Sequence, residues 1–208
     1  MLLISAVNLF ASNLFAQHLS DTIFLLKENN GFERHEIFIE PNKNSDNYKD
    51  IIDFSSFPEI SNKNKNRYKE IPSKWIPLYS YKMDYYVYSP CDFSTNQQVG
   101  IYDKAIFFND FELYNYQINS SKESNNKCII YYKGLENEKT KLEIFILDKK
   151  KGVTVFKYTR KNNEVDYRLM VVAENARLFP LIINKCINGK TKEFEFEKID
   201  FENIIDSK

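Results

Sequence analysis

An aromatic stretch between Trp75 and Ile118 constrains the fold of this chain more than any other feature. It contains the sequence's one tryptophan, and residues that favour strands dominate it. From position 79 onward, large side chains alternate with polar ones, which is the period of a strand buried on one face. The pattern predicts a solvent face of Ser80, Lys82 and Asp84 and a buried face of Tyr79, Tyr81, Met83, Tyr85 and Val87.

Further strand segments occur on both sides of this stretch. The predicted strands are 21–27, 36–40, 101–108, 111–118, 128–133, 140–147, 153–159, 165–172, 179–187 and 190–200. Turn residues separate them, notably Gly152, the pair Asn162 and Asn163, and the pair Asn188 and Gly189. Residues 173–178 break the strand pattern and predict a single helical turn.

The number and spacing of these strands indicate an all-β fold. About eight strands linked by short turns run from Trp75 to the end, with almost no helix between them. As one open sheet, this meander would leave two edges and one apolar face exposed. Closure into a barrel pairs the edges with each other and buries the apolar face. The sequence therefore predicts an up-and-down meander that closes into a barrel. A two-sheet β-sandwich is the alternative.

A tryptophan at the entrance of the first long strand, followed by a meander, resembles the lipocalin and calycin architecture. The likeness covers roughly residues 75–200 and includes Trp75, whereas the glycine that this family has two positions earlier is Ser73 here. The resemblance implies a lipocalin-like barrel, and it carries over no site residue.

The first sixteen residues are typical of an export signal. They carry no charged side chain, contain a short apolar run, and are shorter than the roughly 20 residues that span a membrane. The mature chain would then begin near Gln17 as a single β domain without a transmembrane segment, in the periplasm or secreted. An ordinary N-terminal strand or helix is the other interpretation of this segment.

Residues 41–74 differ from the rest of the chain in being polar, rich in Asn and Lys, and interrupted by prolines. A short helix is predicted at 46–54, with Ser45 or Asp46 as its N-cap. A connection of this length is unusual in a compact domain. We interpret it as a functional lid or as a wrap across one end of the fold.

The charge balance argues against one class of partner, and the cysteine spacing argues against a metal site. The chain has 29 basic and 29 acidic residues, and this balance argues against a nucleic-acid partner. Cys91, Cys128 and Cys186 lack metal-ligand spacing. Export would allow one disulfide among the three, and burial as small apolar residues is the equal alternative.

The sequence predicts no catalytic, metal or cofactor site. Its two histidines are His18 and His35, and neither lies in a nucleophile motif. Glu193, Glu195 and Glu197 alternate along the last predicted strand, which is typical of a solvent face. We therefore expect a protein that is not an enzyme.

Six aromatic residues are the candidate ligand-binding set: Tyr79, Tyr81, Tyr85, Phe107, Tyr114 and Tyr116. They either fill the barrel as core or line a cavity for a small apolar or aromatic ligand. The first functional hypothesis is an exported protein that holds such a ligand inside the barrel. The alternative is an inhibitor-like or immunity-like module that binds a protein through its outer face or through residues 41–74.

Overall fold

The computed structural model describes residues 22–29, 34–58, 68, 71–91, 97–110, 112–134, 138–187 and 192–207. The first strands and helix are β1 (Ile23–Asn29), β2 (Arg34–Glu40), α1 (Asp46–Ile51), β3 (Lys74–Pro77), β4 (Tyr79–Tyr81) and β5 (Asp84–Ser89). The later strands are β6 (Gln98–Ile101), β7 (Ala105–Asn109), β8 (Leu113–Ser124), β9 (Lys127–Lys133), β10 (Lys139–Asp148), β11 (Val153–Thr159), β12 (Val165–Val172) and β13 (Leu181–Ile187). A 3-10 helix covers Ala173–Leu178, and the last described element is α2 (Phe201–Asp206).

Eight antiparallel strands close into a barrel in the order β3, β6, β7, β8, β9, β10, β11, β12. Neighbours in the barrel follow one another along the chain, apart from the excursion of β4 and β5 between β3 and β6. The predicted all-β, lipocalin-like up-and-down barrel is therefore confirmed, and the sandwich alternative is wrong. β9 pairs with β10 and β12 pairs with β3, so the eight strands form a closed ring, although β12 and β3 pair over only three residues.

The predicted continuous strand after Tyr79 is wrong, because a two-residue turn divides it. Lys82 and Met83 both have positive φ, at 50° and 67°, and Met83 is 96% exposed instead of buried. Across this turn Tyr79 lies opposite Tyr86, so these two share one face and Tyr85 lies on the other. The turn has neither Gly nor Asn, and the alternation of residue types continues through it, so the pattern gave no sign of a break.

The strands outside the barrel form a second sheet in the order β1, β2, β13, β5, β4. In its centre, β13 pairs antiparallel with β2 and parallel with β5. The predicted hairpin turn at Asn188 and Gly189 lies outside the described residues. Its predicted partner strand at 190–200 is wrong: residues 192–200 form a single bridge, between Glu197 and Ser80. Instead of extending the sheet, Phe194 and Phe196 pack over its face.

Predicted element bounds were accurate next to turns that contain Gly or Asn at positions of positive φ. The strands at 153–159 and 165–172 and the helical turn at 173–178 have the predicted bounds. Gly152 has φ 70° and Asn163 has φ 63°, as tight hairpin turns require. The predicted strand at 101–108 is instead two strands, β6 and β7, which pair across a turn at 102–104.

The helix predicted in the polar segment is α1, and Ser45 is its N-cap: its hydroxyl accepts a hydrogen bond from the Tyr48 N–H at 3.4 Å. Tyr48 is fully buried and donates its hydroxyl to the Phe179 carbonyl at 2.9 Å. Phe57 packs so closely on the barrel that a Cβ at Gly100 would lie 2.8 Å from its ring. Residues 46–57 therefore pack against the barrel wall.

Three apolar clusters hold the layers together. The interior core fills the barrel around Trp75, Phe156 and Met170. The interlayer core lies between the barrel wall, α1 and the second sheet. The outer core covers the far face of the second sheet, where Phe194 and Phe196 meet Tyr79, Tyr81 and other aromatic rings.

Two of the three cysteines form a disulfide, and the third is buried as a small apolar residue. Cys91 and Cys186 form a disulfide with their Cα atoms 5.7 Å apart, and it ties the end of β5 to β13. Cys128 lies outside the disulfide and is fully buried in the interior core.

Candidate ligand site at the barrel mouth

One end of the barrel holds a cavity of about 500 Å³, which we call the cup. Here β7, β9 and β11 end, and β8, β10 and β12 begin. The lining residues are Gln97, Phe108, Asp110, Tyr114, Tyr116, Tyr132, Gly134, Glu138, Thr140, Tyr158, Arg160, Asp166 and Arg168. All but Gln97 have even numbers, because the strands alternate sides with a period of two.

Strand register explains why these side chains point inward. Tyr116 lies opposite Ile106, and Arg168 lies opposite Phe156; Ile106 and Phe156 both belong to the interior core. Residues directly opposite in an antiparallel pair share a face, so Tyr116 and Arg168 also face the barrel interior. Tyr132 and Thr140 are opposite in the same way.

Below the cup, buried apolar side chains of the interior core fill the barrel. Trp75 contacts Phe156 edge to face with ring centroids 5.3 Å apart, and both rings are almost completely buried. The cup therefore lies at the mouth of the barrel, next to this packed core. A ligand in the cup would rest on an apolar floor.

Aromatic rings form one wall of the cup. The rings of Phe108, Tyr116 and Tyr132 lie 5.8 to 6.0 Å apart, and Tyr158 lies 6.2 Å from Phe108. These separations are typical of favourable aromatic pairs, so the wall is firmly held. It offers ring faces and edges to a planar ligand.

Charged groups lie on the other side of the cup. Arg168 donates a hydrogen bond from Nη1 to the Gln97 side-chain oxygen, and its Nε lies 3.6 Å from an Asp166 carboxylate oxygen. Gln97 in turn donates to Asp110 Oδ2 at 3.3 Å. Arg160 lies 3.3 Å from Glu164 at the β11 to β12 turn.

Two buried oxygen atoms at the cup have no hydrogen-bond partner among the described residues. They are the Tyr158 hydroxyl, on a side chain that is 7% exposed, and Asp110 Oδ1. Burial raises the pKa of Tyr158 and of Tyr132 far above the ordinary tyrosine value, so both phenols are neutral near pH 7. An unsatisfied buried polar atom costs about 1–3 kcal/mol, which a ligand with a matching group would relieve.

The structure brings only two of the six predicted ligand-binding residues to the cup, Tyr114 and Tyr116. Phe107 instead faces outward and contacts Tyr102, with ring centroids 5.5 Å apart. Tyr79 and Tyr81 belong to the outer core, and Tyr85 packs against the interlayer core. Three further lining residues were not predicted, namely Tyr132, Tyr158 and Arg168, although they occupy even-numbered positions of β9, β11 and β12 that share the inward face.

A second polar cluster lies on the outer face of the second sheet. Asn184 is 4% exposed, its Oδ1 is 2.7 Å from His35 Nε2, and its Nδ2 donates to Glu193 at 3.0 Å. Glu193 also accepts hydrogen bonds from the Tyr88 hydroxyl and the Cys91 N–H. These residues do not line the cup, and we interpret the cluster as structural.

The prediction that the three alternating glutamates form one solvent face is therefore wrong for Glu193 alone. Glu193 is half-buried in the Asn184 cluster. Glu197 is exposed as predicted, and it also accepts the Lys82 N–H at 2.9 Å at the strained turn between β4 and β5. Glu195 is exposed as well and pairs with Lys192 at 2.5 Å.

The described ranges contain no candidate metal site and no candidate membrane-spanning helix. Within them, no group of three or more His, Cys, Asp and Glu side chains is placed to hold a metal ion. None of the helices in these ranges is long and apolar enough to cross a membrane. Comparison with known proteins returned no matching family model and no significant match to a curated protein or a solved structure.

Proposed function

We propose that this protein is an exported, non-enzymatic binding protein that holds a small planar ligand in the cup. The observation that carries the proposal is the Tyr158 hydroxyl, which is buried at a cavity of about 500 Å³ and has no partner among the described residues. Small-molecule sites typically combine apolar walls with a few convergent polar groups, as the cup does.

The lining indicates which ligands fit. A ring would pack against Phe108, Tyr116 and Tyr132, and each 100 Å² of apolar surface so buried is worth about 2.5 kcal/mol before the entropy cost of binding. A polar substituent would reach Tyr158 or Asp110. The ligand is therefore an aromatic or other planar molecule with polar groups, rather than a plain hydrocarbon.

Replacing Tyr116 with alanine tests the position of the site. Tyr116 is only half-buried, so its loss removes a ring contact with the ligand without emptying the core. One aromatic contact is worth about 1–1.5 kcal/mol, which predicts a five- to tenfold rise in Kd. Fluorescence titration with N-methyl dansylamide, a small planar probe with polar groups, measures the change.

Tyr131→Ala is the matched control for that variant. Tyr131 is next to the cup residue Tyr132 on β9 but points outward and is 45% exposed. We expect its affinity for the probe to stay within twofold of wild type. Equal affinities in the Tyr116→Ala protein and the wild type would place any binding outside the cup and refute the proposal.

The Cys91 to Cys186 disulfide supports the export part of the proposal, because disulfides persist in oxidising compartments. The leader-like segment 1–16, which lies outside the described residues, supports it independently. We expect the protein recovered from its own cell envelope to have an intact mass that begins near Gln17. A chain that keeps Met1 would overturn the assignment to the periplasm or the medium.

A protein-binding role is the second candidate, and the second sheet supplies its support. β1 lies at an edge of this sheet, and its Ile23 and Phe24 side chains are 59% and 44% exposed. Edge strands with exposed apolar residues can pair with another chain. If native mass spectrometry of the same preparation finds a second protein instead of a small molecule, this role takes precedence.

A further inference from the structure

The barrel wall is incomplete beside the cup. β3 pairs with β12 only from Met170 to Val172, and the Leu78 N–H to Leu169 carbonyl bond, 2.9 Å long, is the next contact along that edge. The chain then leaves the barrel for β4 in the second sheet. Among the described residues, no strand therefore pairs with this edge of β12 from Val165 to Arg168.

The other side of this gap is the start of β6. β6 pairs with β3 only through Trp75 and Lys74, so Gln97 and Gln98 lie beyond the last backbone pairing with β3. A side-chain hydrogen bond crosses the gap, from Arg168 Nη1 to Gln97 Oε1. Side chains rearrange far more easily than a strand ladder, so the wall can open here.

A groove of about 580 Å³ lies outside the gap, between the barrel and the second sheet. Most of its lining is apolar and includes Leu78, Tyr79, Leu169, Phe196, Ile199 and Phe201. Arg168 lines both this groove and the cup. The two spaces therefore meet at one side chain.

The pKa shifts of two tyrosines agree with a position of Arg168 between the cup and the groove. Burial raises the pKa of Tyr79, on the groove side, to about 12, and the Arg168 charge opposes that rise. The same charge opposes the burial-driven rise in the pKa of Tyr158, on the cup side. One guanidinium thus lies close enough to influence phenols in both spaces.

We propose that the gap is a lateral opening for an elongated amphiphilic ligand, whose planar polar head lies in the cup and whose unbranched apolar tail lies in the groove. This inference rests on the proposed function and names its ligand class. The described residues give Arg168 one hydrogen bond and one 3.6 Å approach to a carboxylate, so guanidinium N–H groups remain for a polar link between head and tail. The apolar groove walls would then bind the tail.

Two probes that differ only in the tail test this proposal. N-methyl dansylamide carries the head with a single methyl group, and N-octyl dansylamide has an eight-carbon chain in place of that methyl group. We expect the octyl probe to bind wild-type protein at least tenfold more tightly, because the groove removes methylene groups from water. Fluorescence titration of both probes gives the ratio of their Kd values.

Ile199→Asp places a charge in the groove and leaves the cup unchanged. We expect the octyl preference to fall from tenfold or more to threefold or less, with the methyl probe unaffected. Ile204→Asp is the matched control: Ile204 has intermediate exposure on α2, lies five residues away and does not line the groove. It should keep the full octyl preference.

Tyr116→Ala tests whether head and tail share one site, and it should weaken both probes by a similar factor. Equal binding of the two probes by wild type, or an unchanged octyl preference in Ile199→Asp, would refute the lateral opening while leaving the cup proposal intact. If Tyr116→Ala weakens only the methyl probe, the groove binds independently and the inference fails. If neither probe binds wild-type protein, the proposed function fails together with the inference.

Discussion

Reduction of the Cys91 to Cys186 disulfide is expected to lower the free energy of unfolding by about 4 kcal/mol. The bond joins residues 95 positions apart, so it removes much of the conformational freedom of the unfolded chain. It also anchors the outer core, because the Cys91 N–H donates to Glu193 in the Asn184 cluster. Urea denaturation followed by far-UV circular dichroism, with and without a phosphine reductant, measures the difference.

The double variant Cys91→Ala/Cys186→Ala should reproduce the reduced protein and be insensitive to reductant. Cys128→Ala is the control, because Cys128 lies outside the disulfide; it should lose about 1 kcal/mol from the smaller side chain and keep the full response to reductant. Identical urea midpoints for oxidised and reduced wild-type protein would show that the bond contributes nothing to stability.

Replacement of Trp75 by alanine is expected to cost about 3–5 kcal/mol. Trp75 is 1% exposed, packs edge to face on Phe156, and donates its indole N–H to the Pro72 carbonyl at 2.7 Å. Its removal would leave a large cavity in the interior core and an unpaired carbonyl. Since Trp75 is the only tryptophan, circular dichroism rather than tryptophan fluorescence must follow the urea transition.

Trp75→Phe separates packing from hydrogen bonding in that result. Phenylalanine retains most of the apolar contact with Phe156 but cannot donate to the Pro72 carbonyl, so a loss of about 1–2 kcal/mol is expected. A loss below about 1 kcal/mol in Trp75→Ala would mean that the interior core does not depend on this ring, contrary to the packing described above.

Sequence patterns predicted the part of the fold that depends on local contacts. Strands β11 and β12 have the predicted bounds because their turns contain Gly152 and Asn163, residues that tolerate positive φ. The barrel follows from such hairpins, since from β6 to β12 each strand pairs with the next one along the chain. Closure was predictable because an open meander would expose its edges.

Features that depend on residues distant in sequence could not be predicted from local patterns. The turn at Lys82 and Met83 has residues that disfavour positive φ, and Glu197, 115 positions away from Lys82, accepts its N–H. The central position of β13 likewise depends on pairing with β2, which lies far from it in sequence. No local pattern carries this information.

The candidate site was only partly predictable, because adjacent aromatic residues point to opposite sides of a strand. Phe107 and Phe108 are identical in type, yet Phe108 lines the cup and Phe107 packs outside the barrel. Only the strand register determines which of the two faces inward, and a shift of one residue would exchange them. Tyr131 and Tyr132 show the same ambiguity.

The position of β13 between β2 and β5 also sets an order of assembly. The β1 and β2 hairpin is synthesised first, but its remaining partner in the second sheet is made almost last. The barrel between them consists of hairpins that form through short chain closures, which are kinetically fast. During synthesis, the edge of β2 that later pairs with β13 therefore stays unpaired until the barrel is largely complete. β13 then pairs with β2 and β5 and so links the hairpin to the rest of the second sheet.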